Sequence, residues 1–165
     1  MIFIFWYDVC VRSVDEIPVA HTPEGGWTEF PPLVLADCSD ELSEDAVDMR
    51  GMWEVIEIIV DDEIVGDHFM IGHMQRIEQA ANRVVVAAGG VVHDMRCDGT
   101  VENGVNDVDA DFTREISVVA TFEDGVHVLR PVDMPLEVRR YLEGPRLVWE
   151  YGPFFTAHLE KNSDL

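Results

Sequence analysis

The sequence predicts an all-β protein: a single antiparallel up-and-down barrel of about 8–10 strands, with an N-terminal extension and one short helix. Two observations carry this. From Gly51 onward apolar and polar residues alternate with a period of two, the pattern of strands with one buried face. The alternating runs are short, and turn signals divide them, among them Asp98-Gly99, Asn103-Gly104, Asp124-Gly125 and Gly144-Pro145. A sheet with so many short strands and almost no helix removes its open edges by closing on itself.

The elements follow in chain order. "MIFIFWYDVCV" reads as a strand, and "HTPEGGWTEFPPL" as a loop whose Trp27 and Phe30 need burial. "SEDAVDMR" reads as a short helix, its early acids suiting the positive end of the helix dipole. Residues 1–50 therefore form the extension, with an added strand and a lid over the barrel mouth as its two candidate roles. The barrel spans 51–161 and a tail 162–165. Its strands are drawn from "GMWEVIEIIV", "HFMIGHMQRI", "RVVVAAGGVVHDMRC", "REISVVATF", "VHVLRPV", "LEVRRYL", "RLVWEY" and "FFTAHLEK".

Composition narrows the function. The chain has 165 residues, 47% hydrophobic and 27% charged, enough for one domain with a real core. Its net charge of −22 repels phosphate backbones and anionic lipid, so neither nucleic acid nor membrane is expected as a partner. The N-terminal apolar run ends at Asp8, too short to span a bilayer, and a cytoplasmic protein is expected, as monomer or homodimer. Cys10, Cys38 and Cys97 are odd in number and form no CxxC pair, so no disulfide framework or zinc site is expected. His68, His73, His93 and His127 show no metal-site spacing, and Gly89-Gly90 opens no phosphate loop. The reading is therefore free of metal and cofactor.

Alternation assigns the interior. If Trp53 points inward, so do Val55, Glu57 and Ile59. In "RVVVAAGGVVHDMRC" the odd face, Val85, Ala87, Val91, His93, Met95 and Cys97, is taken as interior, because the even face ends in Asp94, Arg96 and Asp98. Ile116, Val118, Ala120 and Phe122 face in from the next strand, and Arg140 lies beside Val138 and Leu142. Leu147, Trp149 and Tyr151 follow, then Phe155, Ala157 and Leu159. In "HFMIGHMQRI" either His73 and Gln75 or Met70 and Met74 face in. The expected ligand wall is thus Trp53, Val55, His93, Met95, Phe122, Trp149, Phe155 and Leu159. An apolar cavity with a few convergent polar groups is the usual form of a small-molecule pocket. Glu57, Arg140 and Tyr151 are the candidate catalytic groups. A buried Glu57 would have a raised pKa suited to acid–base work, unless it pairs with Arg140 or lies outside.

Gly51-x-Trp53 at the head of the first barrel strand resembles the calycin group, the lipocalins and fatty-acid-binding proteins. "LEVRRYLEGPRLVWEY" through "FFTAHLEK" is similar to the last three strands of fatty-acid-binding proteins, and the likeness covers roughly residues 51–161. It implies that Trp53 plugs the closed end and that Arg140 holds the place of a ligand-binding arginine. The family's partner residues on the last strand are replaced here by Ala157 and Leu159. Ordinary fatty-acid transport therefore does not follow, and the short connector Asp61–Asp67 leaves no room for the family's helical lid. The layout is closer to lidless bacterial lipocalin-like barrels, some of which close linear polyenes by [4+2] cycloaddition. Ten of the eleven basic residues are arginine, the bias of a GC-rich genome. The expected function is binding of an apolar, conjugated small molecule, with cofactor-free cyclase or isomerase action on it. Passive carriage of a hydrophobic ligand stays open beside it.

Overall fold

The computed structural model describes residues 11–165. The chain forms one 3-10 turn, Val14–Glu16, and then a nearly closed antiparallel barrel. Its strands are β1 (Gly51–Val60), β2 (Glu63–Ile64), β3 (Met74–Ala80), β4 (Arg83–Ala88), β5 (Val91–Arg96) and β6 (Val105–Val108). They continue as β7 (Glu115–Glu123), β8 (Val126–Pro131), β9 (Val138–Glu143), β10 (Arg146–Tyr151) and β11 (Phe155–Ser163). The order around the wall is β5-β4-β3-β1-β11-β10-β9-β8-β7-β6, and β2 is a two-residue addition to the end of β1. The remaining seam lies between β5 and β6. There the Arg96 amide donates to the Asn103 carbonyl at 2.7 Å, and His93 Nε2 sits 2.8 Å from the Val108 carbonyl.

Two-residue turns join several neighbours. Gly89-Gly90 and Asp124-Gly125 have positive φ at both positions, the geometry that matches the strand twist in tight hairpins. The Gly89-Gly90 turn corrects the assignment of β4. Ala88 pairs with Val91 and Val86 with His93, so inward positions change from even to odd across the turn. Val84 and Val86 join the barrel core with Met95 and Cys97, whereas Val85 and Ala87 lie in a second core outside. The acids of β5 marked its outer face correctly. Carrying the same parity back through a two-residue turn reversed β4.

The second core is where residues 11–38 belong. Val14, Ile17 and Leu35 pack on Ala80, Val85, Ala87 and Val92, with Trp27 and Phe30 at its margin. Buried polar groups on the outer face of β3–β5 hold this wrap down. Arg83 and Asp94 form a buried ion pair at 2.7 Å. Arg83 also donates to the carbonyls of Val14, Ile17 and Pro18, and Asp94 accepts from the Ala20 amide. The Glu78 carboxylate accepts from the amides of Val34 and Leu35. The wrap therefore covers the outer wall and reaches the rim at the Gly89-Gly90 turn, where the Trp27 amide donates to Gly90. The strand expected over "MIFIFWYDVCV" lies, apart from Val11, outside the described residues.

No helix forms over Ser43–Arg50, contrary to expectation. Only one turn closes, Ala46 amide to Ser43 carbonyl. Gln79 takes the next backbone groups for itself, accepting from the Met49 amide at 2.6 Å and donating to the Val47 carbonyl at 2.9 Å. The stretch becomes an extended plug under the barrel.

Candidate functional site in the barrel interior

Trp53 stands at that plugged end. It is 2% exposed, its Nε1 donates to the Met49 carbonyl at 2.8 Å, and Lys161 Nζ lies 5.2 Å from its ring centroid. Val55 and Leu159 are paired in register beside it and fully buried, and Met95 joins the same core. These four expected wall residues fill the deep part of the barrel.

Glu57 is not with them. The β1–β11 register slips between Val55 and Glu57, leaving Ile56 as an extra residue in β1. Alternation therefore restarts: Ile58 becomes fully buried and Glu57 turns outward. There its carboxylate meets His158 Nδ1 at 2.8 Å, outside Ala157 and Leu159. The expected inward acid is corrected by a β-bulge, the usual device for re-aiming one side chain.

Midway up the wall, neighbouring strands place a row of polar side chains on the inner face. His127 of β8 pairs in register with Arg140 of β9, which pairs with Trp149 of β10. Residues paired in this way have side chains in lateral contact. The Arg140 guanidinium carbon lies 5.3 Å from the Trp149 ring centroid, and Arg140 Nε donates to Gln75 Oε1 at 3.3 Å from across the barrel. Phe122, in register with His127, closes one side at a ring distance of 5.6 Å.

Nearer the mouth stands an aromatic group. Tyr151 stacks on Phe155 with centroids 5.5 Å apart, and Trp149 meets both rings edge-on. His73 stacks near Trp149 at 6.2 Å, so His73 and Gln75 are the inward pair of their segment. His93 is turned to another use, since its Nε2 bonds the Val108 carbonyl across the seam.

The electrostatics of the row are unusual. Arg140 is 5% exposed, and burial lowers its pKa to about 10. The Tyr151 phenol is the one group that counters this, and no carboxylate among the described residues does. His127 is fully buried, and desolvation, with the Arg140 charge second, holds its pKa down to about 3. The imidazole is neutral at ordinary pH. Burial lowers His73 and His93 in the same direction.

Several of these polar atoms have no partner. Arg140 Nη1, Trp149 Nε1 and both ring nitrogens of His127 are buried without a hydrogen bond. Buried polar groups are nearly always satisfied, so three neighbours left without a partner in one row are exceptional. The outer clefts differ. Three of them, of about 400, 360 and 710 Å³, lie along the wrap and the β6–β7 face. Several of their polar side chains are engaged within the protein: Asp48 with Arg50, Asp94 with Arg83, Asp107 with the Thr22 amide.

Sequence reasoning placed Arg140, Tyr151, Trp149, Phe122 and Phe155 on the inner face, and the structure gathers them. It missed His127 as part of this site. The available signal was alternation in "VHVLRPV", which puts His127 with Leu129 and away from exposed Arg130. The chain matches no protein-family model, and its sequence matches no curated protein.

Proposed function

We propose that this protein binds an apolar, conjugated small molecule inside the barrel and acts on it as a cofactor-free cyclase or isomerase of the [4+2] type. The observation that carries this reading is the row of unpartnered donors, Arg140 Nη1 and Trp149 Nε1, set in an aromatic wall. Aromatic faces hold a conjugated chain, and the donors fix one polar end of it.

The chemistry asks little more of the protein. A barrel that folds a linear diene onto its dienophile converts an improbable encounter into a near-attack arrangement. Arg140, with Tyr151 nearer the mouth, donates to a carbonyl oxygen conjugated to the dienophile and draws electron density from it. Both new carbon–carbon bonds form within the substrate, so no proton has to move. The outward position of Glu57 agrees with this, since no inward carboxylate is required.

The test is incubation of the purified protein with linear polyenes bearing a conjugated carbonyl, followed by chromatography against a buffer control. Conversion faster than in buffer, reduced in R140M, supports the enzyme. Saturable binding without conversion supports the carrier reading instead. Neither binding nor conversion removes both.

A further inference from the structure

Resting on the barrel as a ligand site, the structure assigns a ligand whose polar end carries a hydrogen-bond donor beside its oxygen acceptor, and His127 is the residue that reads the donor. The class is an enolised 1,3-dicarbonyl or a hydroxy acid, rather than a plain fatty carboxylate.

Arg140 and Trp149 have donors only. Their empty positions, Nη1 and Nε1, therefore call for oxygen acceptors on the ligand. Arg140 is a buried cation with no carboxylate partner among the described residues, so an ionised or strongly polarised oxygen suits it best. His127 differs in kind. A neutral imidazole donates from one nitrogen and accepts at the other, and here both are buried and unpartnered.

The neutral state of His127 follows from everything packed around it. Arg140 faces it from β9 and Phe122 from β7, and neither supplies a negative charge. Its lone pair is thus the one acceptor among the unpartnered atoms of the row. A ligand with oxygens alone would fill Arg140 and Trp149 and leave that lone pair desolvated and empty. A hydroxyl, enol or N–H next to the oxygen completes the row. This arrangement also differs from a clamp built on the last strand, where Ala157 and Leu159 offer no polar atom.

The test uses three probes with one tail: decanoate, 3-hydroxydecanoate and methyl decanoate, titrated calorimetrically into wild-type protein, H127F and R140M. The expected order in wild type is 3-hydroxydecanoate over decanoate by about tenfold, the worth of one buried hydrogen bond, and both acids over the ester. H127F should erase the advantage of the hydroxyl, so that 3-hydroxydecanoate and decanoate bind it equally. R140M should weaken both acids. Equal binding of the two acids by wild type overturns the assignment of His127 and leaves the barrel a ligand site, an outcome that does not depend on any variant folding. A hydroxyl advantage that persists in folded H127F overturns it as well. No binding of any probe overturns both this assignment and the proposed function.

Discussion

At the scale of single residues the decisive feature is a buried cation with no carboxylate partner among the described residues. Arg140 costs the empty barrel stability, because burial penalises its charge and no carboxylate among the described residues offsets that. Replacing such a group with an apolar one of similar size is commonly neutral or stabilising. Arg140→Met is therefore expected to raise the stability of the ligand-free protein by about 1–2 kcal/mol, even after loss of the Gln75 hydrogen bond. Thermal unfolding reads this as a rise of about 2–4 °C per kcal/mol for a chain of this size. A fall in midpoint would mean that Arg140 has a structural partner.

His127 gives a pH signature. Burial holds its native pKa at about 3, well below the usual 6.5 of an imidazole. Between those values the unfolded chain binds a proton that the native state refuses. Stability is thus present above about pH 6.5 and declines as pH falls, by up to about 1.4 kcal/mol per unit for this one group. Denaturant titrations at pH 7 and pH 5 should show this loss, and it should be smaller in H127F by the share of that histidine. Equal slopes in the two proteins would place His127 in contact with solvent.

At the scale of elements, a bulge and a wrap decide what the interior contains. The extra residue Ile56 turns Glu57 to the outer face, where it meets His158 and forms a partly buried pair. Glu57→Gln should leave ligand binding and conversion unchanged and shift stability by less than about 1 kcal/mol. A large loss of conversion would return Glu57 to the mechanism.

The wrap is structural. Removing residues 1–30 takes Val14 and Ile17 from the second core and three carbonyl acceptors from buried Arg83. Burial of two such side chains is worth roughly 3–6 kcal/mol, a large part of a typical domain's total. The truncated protein should unfold at much lower denaturant concentration than the full chain. Asp94→Asn, which leaves the Arg83 charge buried alone, should cost about 3–5 kcal/mol by itself. An unchanged midpoint in either variant would contradict a structural role.

At the scale of the whole molecule, the barrel was legible because period-two alternation and paired turn residues are local signals. The inner faces of β7, β10 and β11 were legible for the same reason: Phe122 stands between Thr121 and Glu123, and Trp149 and Tyr151 flank Glu150. What escaped depended on geometry that alternation cannot carry. A single extra residue at Ile56 and a two-residue turn at Gly89-Gly90 each reversed a parity, sending Glu57 and Val85 to the other side. The outer face of β3–β5 holds Arg76, Glu78, Arg83 and Asp94, and all four are buried under the wrap, a packing that no local pattern announces. Gln79 likewise displaced a helix that local preference favoured over Ser43–Arg50. His127 was visible as an inward residue, but its register with Arg140 is a relation between strands and appears only in the fold.

The proposed function places a small-molecule site in the barrel interior around Arg140. Its most direct test is a fluorescence titration with 8-anilinonaphthalene-1-sulfonate, an apolar aromatic that carries both an anion and an N–H, on wild type and on cooperatively folded R140M. The account predicts saturable binding of one probe per chain in wild type and its loss in R140M. Absence of saturable binding, or equal binding by both proteins, would contradict it.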